Sequence, residues 1–182
     1  MRTTMSMHAS IKPMVYASLF AALTAIGAFV RIPVPVSPVP ITIQVFFVLL
    51  SGLVLGSRWA GASMAVYVMI GIIGFPVFSG GRSGIGVIMG PTGGYLIGFI
   101  GAAYVTGLIA ETFGRNTSAA IGAMIAGLAV IYLFGVMQLS IVAHLPIKES
   151  FVTGVLPFLI GDFIKLIAAL IVFRRIEPLI EK

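Results

Sequence analysis

The sequence predicts an all-α integral membrane protein: a compact bundle of six transmembrane helices, with irregular outer loops 1 and 3 covering a ligand site. Three observations carry this. Of 182 residues, 59% are hydrophobic and 9% charged, where an average soluble domain has about 25% charged residues, and mean hydropathy is +1.17. A chain so poor in polar groups cannot cover its apolar surface in water, so its solvent is a bilayer. The apolar residues also fall into six runs of near-spanning length, and the first and third connections between them stay apolar although Pro or Gly breaks them.

The runs are judged against the ~20 residues a helix needs to cross the hydrocarbon core. Residues 13–30 form the first, bounded by Lys12 and Arg31. Its length, and the spans that follow at once, read as a retained helix rather than a signal peptide. Residues 41–56 and 59–75 are short and separated only by Ser57 and Arg58, which predicts a tight antiparallel pair. Residues 92–110 form the fourth, closed by Glu111 and Arg115, and residues 118–142 the fifth. The sixth, 151–173, is closed by Arg174 and Arg175. Residues 1–182 thus make a single transmembrane substrate-binding domain, with no soluble portion large enough to fold separately. Six spans put Arg2, Lys12, Arg58, Arg115, Arg174, Arg175 and Lys182 on one face and only Arg31, Arg82 and Lys148 on the other. The positive-inside bias then places the protein in the cell membrane, multi-pass, with both termini cytoplasmic.

The outer connections are unusual. "RIPVPVSPVPIT" (residues 31–42) contains four prolines, each without an N–H and with φ fixed, which predicts extended chain. "GFPVFSGGRSGIGVIMGPTGGY" (residues 74–95) holds eight of the 22 glycines, which permit tight turns and close backbone approach. Both are too rich in Val, Ile, Phe and Met for mobile aqueous loops. Irregular apolar backbone at membrane depth is tolerated where protein or a cavity covers it, so the two read as a packed cover over an outward-facing site.

Under that cover the sixth run carries "FLIGDFIKLIAAL", with Asp162 and Lys165 three residues apart among apolar side chains. At this spacing they share a helix face and can touch. Each charge alone would cost at least about 2.5–3.5 kcal/mol at a helix centre. A self-neutralising pair that locks the last helix to its neighbours would explain them. The reading favoured here is the lining of a cavity, since intramembrane ionisable groups usually mark one. Adjacent carboxylate and ammonium suit a small, partly apolar solute with N–H donors and carbonyl or carboxylate acceptors. Gln44, Thr92 and Tyr95, near the outer ends of their helices, are candidates to complete the ring, Gln44 serving either there or as a helix cap.

Other classes fit less well. The charge of +6 comes from basic residues scattered singly, which argues against nucleic acid. There is no Cys, and no G-x-x-x-x-G-K-[ST] for ATP. "GIGVIMG" (residues 84–90) misses the dinucleotide fingerprint by one residue, and His8 and His144 lack metal-ligand spacing, so no cofactor or metal is expected. His144 reads as an outer interfacial residue. An intramembrane lipid-modifying enzyme would need a second catalytic group beside Asp162. Glu111, Glu149 and Glu177 all fall at helix ends, so the chain reads as a non-enzyme. A passive assembly subunit would leave the buried pair unexplained. On the first run, Ala17, Ala21 and Ala25 form a small-residue stripe suited to close helix contact, either within the bundle or with a partner. A partner interface is the reading favoured here, since a binding chain without an ATP motif needs energy from elsewhere.

Together, "PVPITIQVFFVLLSGLVLG", "GFPVFSGG", "GPTGGYLIGF" and "LPFLIGDFIKL", with the alanine stripe, cover nearly the whole chain. In that order they resemble the BioY family, the biotin-specific substrate-binding (S) components of energy-coupling factor transporters. The resemblance implies a six-helix membrane protein that binds biotin from outside under loops 1 and 3, with Asp162 and Lys165 in contact with it. It further implies partners, a transmembrane coupling protein and two cytosolic ATPases that supply energy, and a surrounding of membrane lipid. Some family members carry an Asn in the third loop near the ligand; residues 74–95 hold none, which leaves Ser79 or Ser83 as substitutes. An S component for another small vitamin-like solute is the alternative.

Overall fold

The computed structural model describes residues 8–180. Helix α1 (His8–Gly27) leads into a two-stranded antiparallel ladder, β1 (Arg31–Ile32) and β2 (Ile41–Thr42), in which Arg31 pairs with Thr42. The proline-rich stretch between the strands is therefore a hairpin-like flap, extended as its prolines require. Helix α2 (Gln44–Ile73) follows, then the short α3 (Ile85–Ile88) inside the glycine-rich connection. The remaining helices are α4 (Gly93–Phe113), α5 (Thr117–Ala143), α6 (Ile147–Gly154) and α7 (Leu159–Ile180).

Helix α2 is not one rod. Gly56 adopts φ 75° and ψ 176°, outside helical space, a conformation that an L side chain rarely adopts. The chain reverses there. Gln44 and Tyr67 would stand about 35 Å apart along a continuous helix, yet Gln44 Nε2 donates to the Tyr67 hydroxyl at 2.5 Å. The arms 44–55 and 57–73 are thus the antiparallel pair expected from the sequence, both packed on α4. Glu111 of α4 fixes the reversal: its carboxylate accepts from Ser57 N at 2.9 Å and from Ser57 Oγ at 2.7 Å. It serves as a cap for the second arm, whose first N–H groups lack helical partners.

Among the described residues, α2, α4 and α5 are long and apolar enough to cross a bilayer, and the bent pair α6–α7 passes as a fourth. Six crossings also require α1, whose apolar part is Ile11–Gly27, and both arms of α2. The sixth run departs from the single helix expected over 151–173. It is broken between α6 and α7 with a bend of 53°, because Pro157 lacks an N–H and disfavours helical geometry at Leu156. The last helix starts two residues after Pro157, at Leu159. At the opposite end of the bundle, Arg174 of α7 bonds Glu177 and Thr117 Oγ1, each at 2.7 Å. Arg2 and Lys182 lie outside the described residues.

Outward-facing side chains are apolar, as on α5, where Leu133, Met137 and Ile141 are exposed. Spaced four apart, they form a lipid-facing stripe. The alanine stripe faces mainly inward. Ala17 and Ala21 are buried in this chain, and Ser63 of the second α2 arm donates to the Ala17 carbonyl at 2.6 Å. Close approach of α1 and α2 thus uses those two alanines for packing within the bundle. Ala21 and Ala25 border an apolar groove between α1 and the same arm.

Glu111→Ala removes both acceptors at the Gly56 turn and strands the Ser57 donors. Hydrogen bonds to charged groups are worth about 1.5–3 kcal/mol. The variant is expected to melt earlier than the parent in detergent while Glu111→Gln, which keeps one acceptor oxygen, falls between; circular dichroism against temperature checks it.

Candidate functional site

Helix α7 starts at the end of the bundle covered by the two irregular connections, and it puts Asp162 in its first turn, where Asp162 N donates to Phe158 O at 2.8 Å. A carboxylate there is favoured by the positive end of the helix dipole. One turn deeper, Lys165 Nζ lies 2.7 Å from Asp162 Oδ1. The second oxygen, Oδ2, accepts from the Tyr132 hydroxyl of α5 at 2.5 Å. Asp162 is only 3% exposed, and the Lys165 side chain 13%. The carboxylate thus has three sources of compensation: an ammonium, a phenol and a helix start. That is what a buried charge requires.

These groups floor a cleft with an open mouth. Val39, Pro40, Ile41 and Thr42 of the proline-rich flap form one wall, and Phe78, Ser79, Arg82 and Val87 of the glycine-rich connection another. The rest is largely apolar, with Phe99, Ile131 and Phe158. A mostly apolar cleft with a few convergent polar groups is the usual form of a small-molecule site.

Of the site residues read from the sequence, Asp162, Lys165, Gln44, Thr92, Tyr95 and Ser79 all line this cleft. Gln44 does not cap its helix: the N-cap is Ile43, without a side-chain cap bond. Instead Gln44 joins Thr42 Oγ1 (3.2 Å) to Tyr67, whose hydroxyl in turn donates to Val77 O of the glycine-rich connection at 3.2 Å. Tyr95 is a wall residue whose hydroxyl donates to Gly154 O at 2.8 Å. Ser83 is half-buried and is not among the lining residues, because the chain turns back between Phe78 and Arg82. His144 is the left-handed C-cap of α5 at φ 54°.

Sequence reasoning missed Tyr132, Tyr67 and Gln138. Tyr132 is the sole tyrosine of the fifth run, a signal that was available but is ambiguous, because aromatics are ordinary in membrane helices. Gln138 is the sole amide there. Its Nε2 donates to Ile88 O at 2.5 Å and Gly90 O at 2.8 Å, tying the glycine-rich cover to α5.

A model of the BioY family matches residues 1–182. The "Biotin transporter BioY" of Thermotoga maritima is 41% identical over 171 residues, covering 93% of this chain and 98% of its own. The "Probable biotin transporter BioY" of Pyrococcus horikoshii is 42% identical over 160 residues, covering 88% and 93%. Among solved structures, the S-component for biotin from an ECF-type ABC transporter superposes with a TM-score of 0.88 at 26% identity, covering 96% of this chain and 95% of that one.

Tyr132→Phe keeps the ring and removes the donor to Asp162 Oδ2. The loss is expected to be about 1.5–3 kcal/mol of stability, as for a hydrogen bond to a charged group, read as an earlier melt in detergent. A parent-like melt would show that Lys165 and the helix start suffice.

Proposed function

The chain belongs to the BioY family, and from that premise we propose that it binds biotin with high affinity in this cleft. It serves biotin uptake across the cell membrane as the S component of an energy-coupling factor transporter. The observation that carries the reading is the apolar cleft with Asp162, Tyr132 and Lys165 as its polar floor. Biotin has the matching chemistry: a urea-like ring with N–H donors and a carbonyl, an apolar body, and a tail that ends in a carboxylate. Asp162 offers a charged acceptor and Lys165 a charged donor in a poorly solvated space, where such bonds are strong. Gln44, Thr92 and Ser79 are further polar contacts on the walls, and Tyr95 supplies ring surface. Among the described residues Glu111, Glu149 and Glu177 do not line the cleft.

Binding alone does not concentrate a solute. A transmembrane coupling protein and two cytosolic ATPases supply the energy, and the α1 groove that Ala21 and Ala25 line is the part of the alanine stripe open to such a partner. The cleft opens to the outside and both termini are cytoplasmic, in keeping with the excess of basic residues at the opposite end of the bundle. Reporter fusions at the two ends of the chain are expected to signal on the cytoplasmic side; opposite-side signals would overturn six crossings.

Asp162→Asn keeps the shape of the floor and removes its charge. Loss of one charge-assisted hydrogen bond is expected to weaken biotin binding by roughly ten- to a hundredfold. Calorimetric titration and melting are measured on the same detergent-purified Asp162→Asn, Lys165→Met and double variants. Early melting with parent-like affinity would make the pair a structural lock. Tight binding of a different vitamin in place of biotin would keep the site and change the solute.

A further inference from the structure

A second concavity lies on the membrane-facing side of the bundle, between α1 and the second arm of α2. Its wall on α1 runs from Ser18 to Ile26, eight residues that rise about 12 Å along a helix. One leaflet of hydrocarbon is about 15 Å deep, half of the bilayer core. Ile26, Val66 and Ile70 stand on the rim and are themselves exposed, while the buried Tyr67 ring forms the back. The groove therefore opens sideways into lipid, apart from the ligand cleft.

No polar group in it is left to bind water. Ser18 Oγ donates to Met14 O at 3.0 Å, and the Tyr67 hydroxyl donates to Val77 O at 3.2 Å while accepting from Gln44 Nε2 at 2.5 Å. An ordered water needs two to four polar partners, and an unfilled space costs its lining the dispersion contacts on that side. Within a bilayer, what fills such a groove is a hydrocarbon chain.

The end of the groove nearer the cleft carries a cation. Val77 lines the groove there. Three residues on, the turn at Gly80 and Gly81 (φ 80° and 69°) sets Gly80 so close to the Arg31 guanidinium that a side chain on Gly80 would collide with it. Arg31 is exposed and makes no ion pair among the described residues. An apolar slot of leaflet length beneath an unpaired cation matches a phospholipid in both shape and charge.

We propose that this groove binds one acyl chain of a phospholipid from the leaflet on the cleft side, with the headgroup phosphate on Arg31. The chain packs against Tyr67, whose other contacts, Gln44 and the edge-on ring of Phe78 at 5.8 Å, line the ligand cleft. It thus supports the cleft wall from the lipid side. A coupling partner that docks on this face replaces a lipid chain rather than closing over an empty groove.

The test uses the full chain in dodecyl maltoside micelles, where the bulk amphiphile has no phosphate. Phosphatidylglycerol and diacylglycerol, each with a diazirine on one acyl chain, are titrated in, irradiated, and their adducts mapped by peptide mass spectrometry. Ala22, Ser18 and Arg31 are exposed, so Ala22→Phe and Ser18→Phe, which fill the groove from either end, and Arg31→Gln are expected to melt with the parent. The expected result is saturable labelling of Ile26, Val66 and Ile70 by phosphatidylglycerol, severalfold above the exposed α5 stripe of Leu133, Met137 and Ile141. Either Phe variant is expected to bring it down to the level of that stripe, and Arg31→Gln to the level given by diacylglycerol. Equal, unsaturable labelling of groove and stripe would mean annular lipid only and overturn the site. Labelling that survives both Phe variants would overturn its place in the groove. Equal labelling by the two lipids, or none lost in Arg31→Gln, would overturn the phosphate contact.

Discussion

The ion pair between Asp162 and Lys165 is the constraint from which the arrangement of the site follows. In a poorly solvated interior neither charge can stand alone, and attraction at contact distance offsets desolvation only when the remaining lone pairs also find donors. The second carboxylate oxygen meets Tyr132 from α5, and the whole group sits at the start of α7. The break between α6 and α7 makes this possible. Had one helix run through 151–173, Asp162 would lie mid-helix, without the positive end of the dipole to face. Pro157 thus fixes where the helix begins, and through that where a carboxylate can be held.

A floor of this kind needs a roof that keeps lipid and bulk water at bay, and a roof of loops has its own difficulty. Its backbone polar groups require partners. The answer is a set of single side chains sent from the helices. Gln138 of α5 binds the carbonyls of Ile88 and Gly90, while Tyr67 of α2 binds that of Val77. Gln44 then links Tyr67 to Thr42 at the end of the proline-rich flap. The two covers are consequently joined through the paired arms of α2.

At the far end the same economy holds the hairpin of α2. Gly56 supplies the backbone conformation and Glu111 the acceptors, so one carboxylate positions both arms against α4. Since Gln44 is on one arm and Tyr67 on the other, the geometry of this distant turn sets the register in which they meet beneath the cover.

The sequence by itself determined the solvent and the class. Composition excluded a soluble domain, the apolar runs gave the helical segments, and Ser57–Arg58 between two short runs already announced a hairpin. It also determined that Asp162 and Lys165 meet, because i,i+3 spacing on a helix brings them together whatever surrounds them. Tertiary structure decided what long-range packing alone can specify. Tyr132 and Gln138 lie 30 and 48 to 50 residues from the groups they bind, and no local pattern says what either binds. Arg82 reads in sequence only as one positive charge on a loop. A turn with two left-handed glycines carries it to the cleft wall and leaves Ser83 off it. The alanine stripe was legible as a close-contact face, but the identity of its neighbour was not, since small residues permit approach without specifying by what. Local chemistry is written along the chain; which distant groups complete a buried charge depends on how the helices pack.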